Sequence, residues 1–139
     1  MRESTLWHYI RRGLSGKCLM TRIESSAGNG FPDVILHLPN KHSFMELKYV
    51  PKWPKRASTK VKLPLRSEQK LWIKTRGEFS HDVWAMIRIE DDFFLLSHEQ
   101  ALEACEGFTK LEWYNMFHHT KSWTKQINFD QLYKELFLG

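Results

Sequence analysis

The chain has 139 residues, 42% of them hydrophobic and 14% aromatic, which argues for a packed domain and against disorder. Its formal net charge is +5, and its length suits one domain rather than two. The N-terminus has no apolar signal core and no run approaches a membrane span. We therefore expect a single domain over 1–139 that is cytoplasmic (host cytoplasm if viral) and has no membrane partner.

Helical and strand-like periodicities alternate along the first half. Leu6, Ile10 and Leu14 repeat at helical spacing, whereas the residues after Gly16 alternate as in a strand. Proline and glycine separate the later segments. The predicted elements are a helix (3–13), a strand (17–24), a loop (25–30), a hairpin (strands 33–38 and 43–49, turn 39–42), a basic mobile loop (51–64) and a helix (66–76).

The second half predicts another hairpin and two helices. We expect the turn acids, 90–92, to be solvated rather than metal-binding. The aromatic-rich segment 108–125 is ambiguous. The predicted elements are strands 83–89 and 93–97, a helix from a capping box at Ser97 to about Gly107, and a last helix capped by Asn128. Together they indicate a mixed α/β fold with a central sheet, a core over about 3–107 and a helical C-terminal extension over about 108–139.

Positive charge is concentrated in the first two thirds of the chain. Residues 1–89 carry 17 Lys or Arg and 7 Asp or Glu, a net of +10, whereas residues 90–139 have a net of −5. Within 48–76 there are ten basic residues and one acid, Glu68. Such a one-sided field attracts polyanions, so it favours a nucleic acid as the partner over a merely solvated surface.

The first hairpin places acids and a lysine on one face. If the 39–42 turn closes symmetrically, Asp33 lies opposite Lys48 and diagonally across from Glu46. Opposed side chains project to the same face about 5 Å apart, and diagonal ones about 7–8 Å apart. Asp33, Glu46 and Lys48 therefore share a face.

These residue types suit metal-dependent cleavage of phosphodiesters. Mg²⁺ prefers hard oxygen ligands, and Asp33 and Glu46 supply them, with the Leu47 carbonyl as a further ligand. A bound ion polarises the phosphate and acidifies a water. Lys48 can position that water, assist its deprotonation or offset the developing negative charge.

Small residues precede the first acid of this group. Pro32 fixes the approach of the chain to Asp33, and we expect Gly28 and Gly30 to leave room for a phosphate backbone.

Gly30-Phe31-Pro32-Asp33 with Glu46-Leu47-Lys48 resembles the PD-(D/E)xK nuclease signature. Leu65 to Trp72, which contains Gln69 and is followed by Gly77, resembles the continuation in the virus-type replication-repair nuclease (VRR-NUC) domain and in archaeal-type Holliday junction resolvases. The likeness covers roughly residues 3–100.

This resemblance implies a restriction-endonuclease-like core, in which helices flank a central mixed sheet. It implies metal binding by Asp33 and Glu46, a catalytic role for Lys48, and a Gln69 side chain that points at the site. Mg²⁺ is the expected cofactor, with Mn²⁺ as a substitute.

The family pattern also places an acid on the first helix, and Glu3 fits that position best. Glu24 competes because it ends the preceding strand on the same side as Arg22, and both acids can act. Arg22 would then contact a phosphate. Trp53 either stacks on a base or anchors the basic loop. The predicted DNA-binding residues are Arg22, Lys52, Trp53, Lys55, Arg56, Lys60, Lys62, Arg66 and Lys70.

The sequence therefore predicts a metal-dependent DNA endonuclease, structure-specific or site-specific, of a compact type that suits a phage or mobile element. A homodimer is plausible because cutting both strands usually takes two sites. Two alternatives stay open: a Holliday junction resolvase, and a nucleic-acid-binding module on a nuclease scaffold without turnover.

Overall fold

Six strands form one mixed sheet in the order β1-β2-β3-β4-β5-β6. The computed structural model describes residues 3–23, 30–117 and 121–138, without the side chains of residues 3 and 4. The elements are α1 (Glu3–Leu14), β1 (Leu19–Arg22), β2 (Val34–Leu38), β3 (Lys41–Val50), α2 (Ser67–Phe79), β4 (Val83–Ile89), β5 (Asp92–Ser97), α3 (His98–Ala104), α4 (Lys110–Met116), β6 (Ser122–Thr124) and α5 (Phe129–Phe137). No helix in these ranges is both long and apolar enough to cross a membrane.

One parallel pair stands among antiparallel ones. β3 and β4 run parallel, so the chain must return between them, and α2 lies within that crossover. The four other pairs of neighbouring strands are antiparallel. The long strand β3 therefore lies inside the sheet, between β2 and β4.

Each face of the sheet has its own hydrophobic core. On the first face, α1 and α5 pack through fully buried residues such as Leu6, Ile10 and Leu132. On the second face, α2 and α4 contribute Ile73 and Trp113. Because β3 sends Met45 and Leu47 to the first core, Glu46 and Lys48 project to the second face, where α2 lies.

The hairpin of β2 and β3 closes more tightly than the sequence suggested. The pairs Leu38↔Lys41 and Ile35↔Phe44 leave Pro39 and Asn40 as a two-residue turn. The predicted register was therefore wrong by two residues. A shift of two leaves every side chain on its predicted face, because strand side chains alternate with a period of two.

The basic segment that follows β3 has no regular secondary structure, as predicted. It is nevertheless pinned to the second core rather than loose. Val61 exchanges backbone hydrogen bonds with Phe108 at 2.7 and 3.0 Å, and the Leu63 N–H donates to Ala104 at 2.8 Å. Val61 and Leu63 are buried, whereas Lys60 and Lys62 are exposed. The lysines are thus displayed on a backbone held in place.

The C-terminal extension contributes more than helices. Its segment 108–125, which the sequence left ambiguous, contains α4 and the short strand β6. β6 pairs with β5, and α5 packs on the first face beside α1. The Asn128 side chain caps α5 by accepting from the Gln131 N–H at 3.1 Å, as predicted.

Candidate active site

The candidate site lies where β2 ends and β3 continues. The β2–β3 pairing stops at Val34↔Met45, and one further step would place Asp33 opposite Glu46. Directly opposed side chains have Cβ atoms about 5 Å apart, so this register brings the two carboxylates nearer than the predicted one did. The Leu47 N–H donates to Asp33 Oδ2 at 2.8 Å, which fixes the Asp33 carboxylate against the edge of β3.

Glu46 is a buried carboxylate, 2% exposed, and its polar partners include side chains of α2 and of β3. Gln69 Nε2 donates to Glu46 Oε1 at 2.9 Å, and Lys48 Nζ lies 3.6 Å from the same oxygen. A buried charge needs such compensation, because its removal from water costs on the order of several kcal/mol per ion. The hydrogen bond and the ion pair hold Glu46 in the face shared with Asp33.

Gln69 joins the site to the start of α2. Its Oε1 accepts from the Arg66 N–H at 2.9 Å, which satisfies a backbone donor at the start of α2, while its Nε2 donates to Glu46. The backbone donor at one end and the carboxylate at the other define the orientation of the amide. The predicted direction of Gln69 toward the site is confirmed, although its role in chemistry stays a prediction.

The glycine before Pro32 serves packing rather than ligand access. Gly30 has φ +79°, and a Cβ there would clash with the carbonyl oxygen of Glu68 in α2. The predicted room for a phosphate is therefore wrong for Gly30, because helix backbone fills it. Gly28 lies outside the described residues. The close approach of Gly30 to α2 sets how the chain enters Asp33.

An ion pair fixes the far end of α2. Arg76 Nη2 donates to Asp82 Oδ2 at 2.9 Å, and His42 Nε2 lies 3.2 Å from that oxygen. Partial burial raises the pKa of Asp82, but hydrogen bonds from Arg76 and Ser80 and the nearby positive charges outweigh it, so the net pKa is lowered. Both ends of α2 are thus tied to the sheet around the site.

The donor set fits Mg²⁺, which proteins usually bind through one or two carboxylates and several waters. Asp33 and Glu46 supply two carboxylates. The Leu47 carbonyl lies on the same edge of β3 as the N–H that binds Asp33, so it faces the same gap. Within the described part of the chain, no cluster of three or more His, Cys, Asp or Glu side chains is placed to hold an ion. The side chain of Glu3 and all of Glu24 lie outside the described residues.

The predicted DNA-binding side chains separate into two groups. Arg22 pairs with Val34 across the sheet, one residue from Asp33, and is exposed. Trp53 differs from the rest, because it is 8% exposed and donates from Nε1 to Asp92 Oδ2 at 2.8 Å. Trp53 therefore anchors the loop, and the alternative that it stacks on a base is wrong in this structure. The exposed members are Arg22, Lys52, Lys55, Arg56, Lys60, Lys62, Arg66 and Lys70.

Asp92 forms a second polar centre that sequence reasoning missed. The predicted solvation of this turn acid is wrong, since Asp92 is only 6% exposed. Besides Trp53, the Tyr114 hydroxyl donates to it at 2.5 Å and the Thr124 hydroxyl at 2.7 Å. The donors come from three separate segments, so no local sequence signal identifies them.

Comparisons with known proteins bear on the fold alone. No family model and no curated protein sequence matches the chain. A solved structure of a Holliday junction resolvase from the archaeal hyperthermophile Archaeoglobus fulgidus is similar, with a TM-score of 0.51 over 81% of this chain and 88% of that one. The two sequences are 9% identical.

The chain has a restriction-endonuclease-like α/β fold. The fold class implied by the PD-(D/E)xK resemblance is thereby confirmed. The closer relationship to the VRR-NUC domain stays a prediction.

Proposed function

We propose that the protein is a divalent-metal-dependent DNA endonuclease. One observation carries the proposal: Asp33, Glu46 and Lys48 meet on one face of the sheet, with Gln69 of α2 against Glu46. Two carboxylates and a lysine at the end of a short strand suit phosphodiester hydrolysis, and the fold is one that supports it.

The residues of the candidate site have different proposed roles. Asp33 and Glu46, with the Leu47 carbonyl, would hold Mg²⁺ or its substitute Mn²⁺. When bound, such an ion polarises a phosphate oxygen and acidifies water. The Lys48 ammonium, beside Glu46, orients the attacking water or offsets negative charge on the phosphate. Gln69 is a positioning residue, since it acts through Glu46.

The basic surface supplies substrate affinity. Lys60 and Lys62 project outward from the pinned segment after β3, and Arg66 and Lys70 lie at the start of α2, near Gln69. Each lysine or arginine that neutralises a phosphate releases counterions, so DNA binding should weaken as salt rises.

Branched DNA is the second substrate to consider, and the fold likeness to a Holliday junction resolvase favours it. Resolution of a junction needs two symmetric cuts, which a homodimer supplies. A binding module without turnover is the alternative from a different class.

A substrate panel tests the proposal. Plasmid, single-stranded DNA and a four-way junction are incubated with the protein in Mg²⁺, in Mn²⁺ and in EDTA. We expect cleavage with either metal and none in EDTA. Asp33→Asn keeps an oxygen that can accept from the Leu47 N–H, yet should reduce cleavage by about 100-fold or more because a charged ligand is lost.

The matched control is Asp130→Asn on α5, since Asp130 is exposed and pairs with Lys17 on the other side of the sheet. It should cut at the wild-type rate. Full-rate cutting in EDTA would refute the metal mechanism. Tight binding without cutting of any substrate would favour the binding module.

A further inference from the structure

A cleft outside the candidate site lies between the basic segment and α4. Its lining is Pro54, Lys55, Ala57, Lys110, Leu111 and Tyr114, and its volume is about 400 Å³. We name it the tyrosine cleft. This volume falls in the range of about 300–1,000 Å³ that is usual for small-ligand pockets. Of the described residues that line it, two are lysines and none is acidic.

The aromatic wall of the tyrosine cleft is held rigidly. Tyr114 donates its hydroxyl to buried Asp92 at 2.5 Å, and its ring centroid lies 5.7 Å from that of Trp53. Desolvation and the hydrogen bond to Asp92 raise the pKa of Tyr114, so the hydroxyl remains a donor to Asp92 into the alkaline range. Tyr114 is nevertheless 43% exposed. A ring fixed at its hydroxyl and open at its side is a ready platform for stacking.

Positive charge is placed over this platform. Lys110 Nζ lies 5.8 Å from the Tyr114 ring centroid and 5.3 Å from that of Trp53, which are cation–π distances. Lys55 is exposed on the facing loop. Leu111 is 68% exposed, so apolar surface and ammonium groups occupy one cleft. An aromatic base with its phosphate has the matching chemistry.

The tyrosine cleft and the candidate site lie on the same side of the sheet. Ile73 of α2 and Trp113 of α4 belong to the same core cluster, and Gln69 of α2 contacts Glu46. Val50, the last residue of β3, lies about 13 Å from Glu46 at about 3.3 Å per residue, and Pro54 of the cleft follows four residues later in the chain. One nucleic-acid strand can therefore reach both.

We propose that the tyrosine cleft binds an unpaired nucleotide of the substrate, with the base stacked on Tyr114 and Leu111 and the phosphate paired with Lys55 and Lys110. The inference rests on the proposed action on DNA and extends it to substrate class: DNA with a single-stranded segment next to the scissile region. Bases within a duplex are already stacked, so only an unpaired base can enter.

Binding measurements in EDTA test the cleft apart from cleavage. Fluorescence anisotropy is recorded for a labelled single strand, a blunt duplex and a duplex with a single-stranded overhang. Tyr114→Leu removes the ring and should weaken binding of the single strand and the overhang by about fivefold or more. Binding of the blunt duplex should stay within about twofold.

Two variants separate the ring from its hydroxyl and from surface hydrophobicity in general. Tyr114→Phe keeps the ring but loses the bond to Asp92, and should bind the single strand within about twofold of wild type. Leu111→Ser should weaken it by about threefold. The matched control Leu138→Ser, at a leucine that is 65% exposed after α5, should leave it unchanged. Wild-type affinity in both Tyr114→Leu and Leu111→Ser would overturn the proposal.

Photocrosslinking gives a readout that needs no variant. A single strand that contains 5-iodouracil is irradiated with the wild-type protein, and the crosslinked peptide is identified by mass spectrometry. We expect the crosslink at Tyr114, and crosslinks only outside the tyrosine cleft would contradict the proposal. These binding readouts do not depend on cleavage, so the two proposals can fail separately. If Tyr114→Leu weakens single-strand binding but the wild-type protein cuts no substrate, the nuclease proposal is refuted and the cleft proposal is supported. If the wild-type protein cuts DNA but Tyr114→Leu and Leu111→Ser bind the single strand as tightly as wild type, the cleft proposal is refuted and the nuclease proposal is supported.

Discussion

Glu46 and Asp92 are both buried carboxylates, 2% and 6% exposed, yet their partners differ in kind. Asp92 accepts hydrogen bonds from an indole, a phenol and an alcohol, on side chains that come from three segments. Glu46 has an amide and an ammonium group, and a second carboxylate, Asp33, in the next register position.

From this difference we infer that Asp92 serves the fold, whereas Glu46 belongs to the proposed metal site. The neutral donors around Asp92 join the basic segment, α4 and β6, so burial there secures the fold. At Glu46, a second acid and a lysine lie close together at the end of β2. Like charges at short range are unfavourable unless a cation joins them, so this arrangement suits metal binding. The predictions below test that distinction, from the largest effect to the smallest.

Replacement of each carboxylate by its isosteric amide should reduce the cleavage rate at Glu46 but not at Asp92. Glu46→Gln removes a charge from the proposed metal site, so we expect cleavage to fall by about 100-fold or more. Asp92→Asn should cut within about twofold of wild type, because its amide can donate to the Thr124 hydroxyl and its oxygen can accept from Trp53. The initial cleavage rate of each variant is measured on the preferred substrate. Equal losses of rate in both variants would contradict the distinction between the two carboxylates.

Truncation of Asp92 to alanine should reduce the stability of the fold. Asp92→Ala leaves three buried or part-buried donors without their acceptor, so we expect the free energy of unfolding to drop by about 3 kcal/mol. Denaturant unfolding followed by circular dichroism measures the loss. The neighbouring hairpin residue Asp91 is exposed, and Asp91→Ala should cost less than about 1 kcal/mol. A similar cost in both variants would show that Asp92 secures nothing.

Gly30 should be sensitive because it sets the entry to Asp33. Gly30→Ala places a methyl group against the Glu68 carbonyl oxygen at φ +79°. We therefore expect the free energy of unfolding to fall by about 2 kcal/mol or more, and cleavage to be reduced. Gly16 has the same handedness, φ +80°, with no neighbour within 4 Å, so Gly16→Ala should cost only about 1 kcal/mol. If both alanines behave alike, the contact with α2 is not what positions Asp33.

The smallest effect concerns Tyr114 and pH. Its pKa is raised in the folded state by desolvation and then by the bond to Asp92, so its stabilisation is complete below the unfolded-state pKa of about 10. That stabilisation is lost as pH rises above 10. Tyr114→Phe should therefore cost about 1 kcal/mol at neutral pH and progressively less above pH 10. A cost that does not vary with pH would disprove the linkage.

The shared face of Asp33, Glu46 and Lys48 was predictable from sequence although the register was not. The turn proved to be Pro39-Asn40 alone, but a shift by two residues preserves the face of every side chain. The direction of Gln69 was implied by the resemblance to the PD-(D/E)xK nucleases, and the hydrogen bond from Gln69 to Glu46 agrees with it.

The Asp92 network was not predictable, because its donors are 22 to 39 residues away in sequence. Trp53 illustrates the same limit. Its proline and lysine neighbours left base stacking and loop anchoring equally open, and the distant residues Phe94 and Tyr114 decide for burial. The local sequence pattern indicates on which face of the sheet a side chain lies. Long-range packing determines which residues contact it there.

The central claim is that Asp33 and Glu46 hold a single metal ion between them, and calorimetric titration with Mn²⁺ tests it most directly. We predict that Asp33→Asn and Glu46→Gln each weaken Mn²⁺ binding by about tenfold or more, and that the double variant loses little beyond either single one, because both remove the same site. Undiminished Mn²⁺ affinity in the double variant would contradict the account.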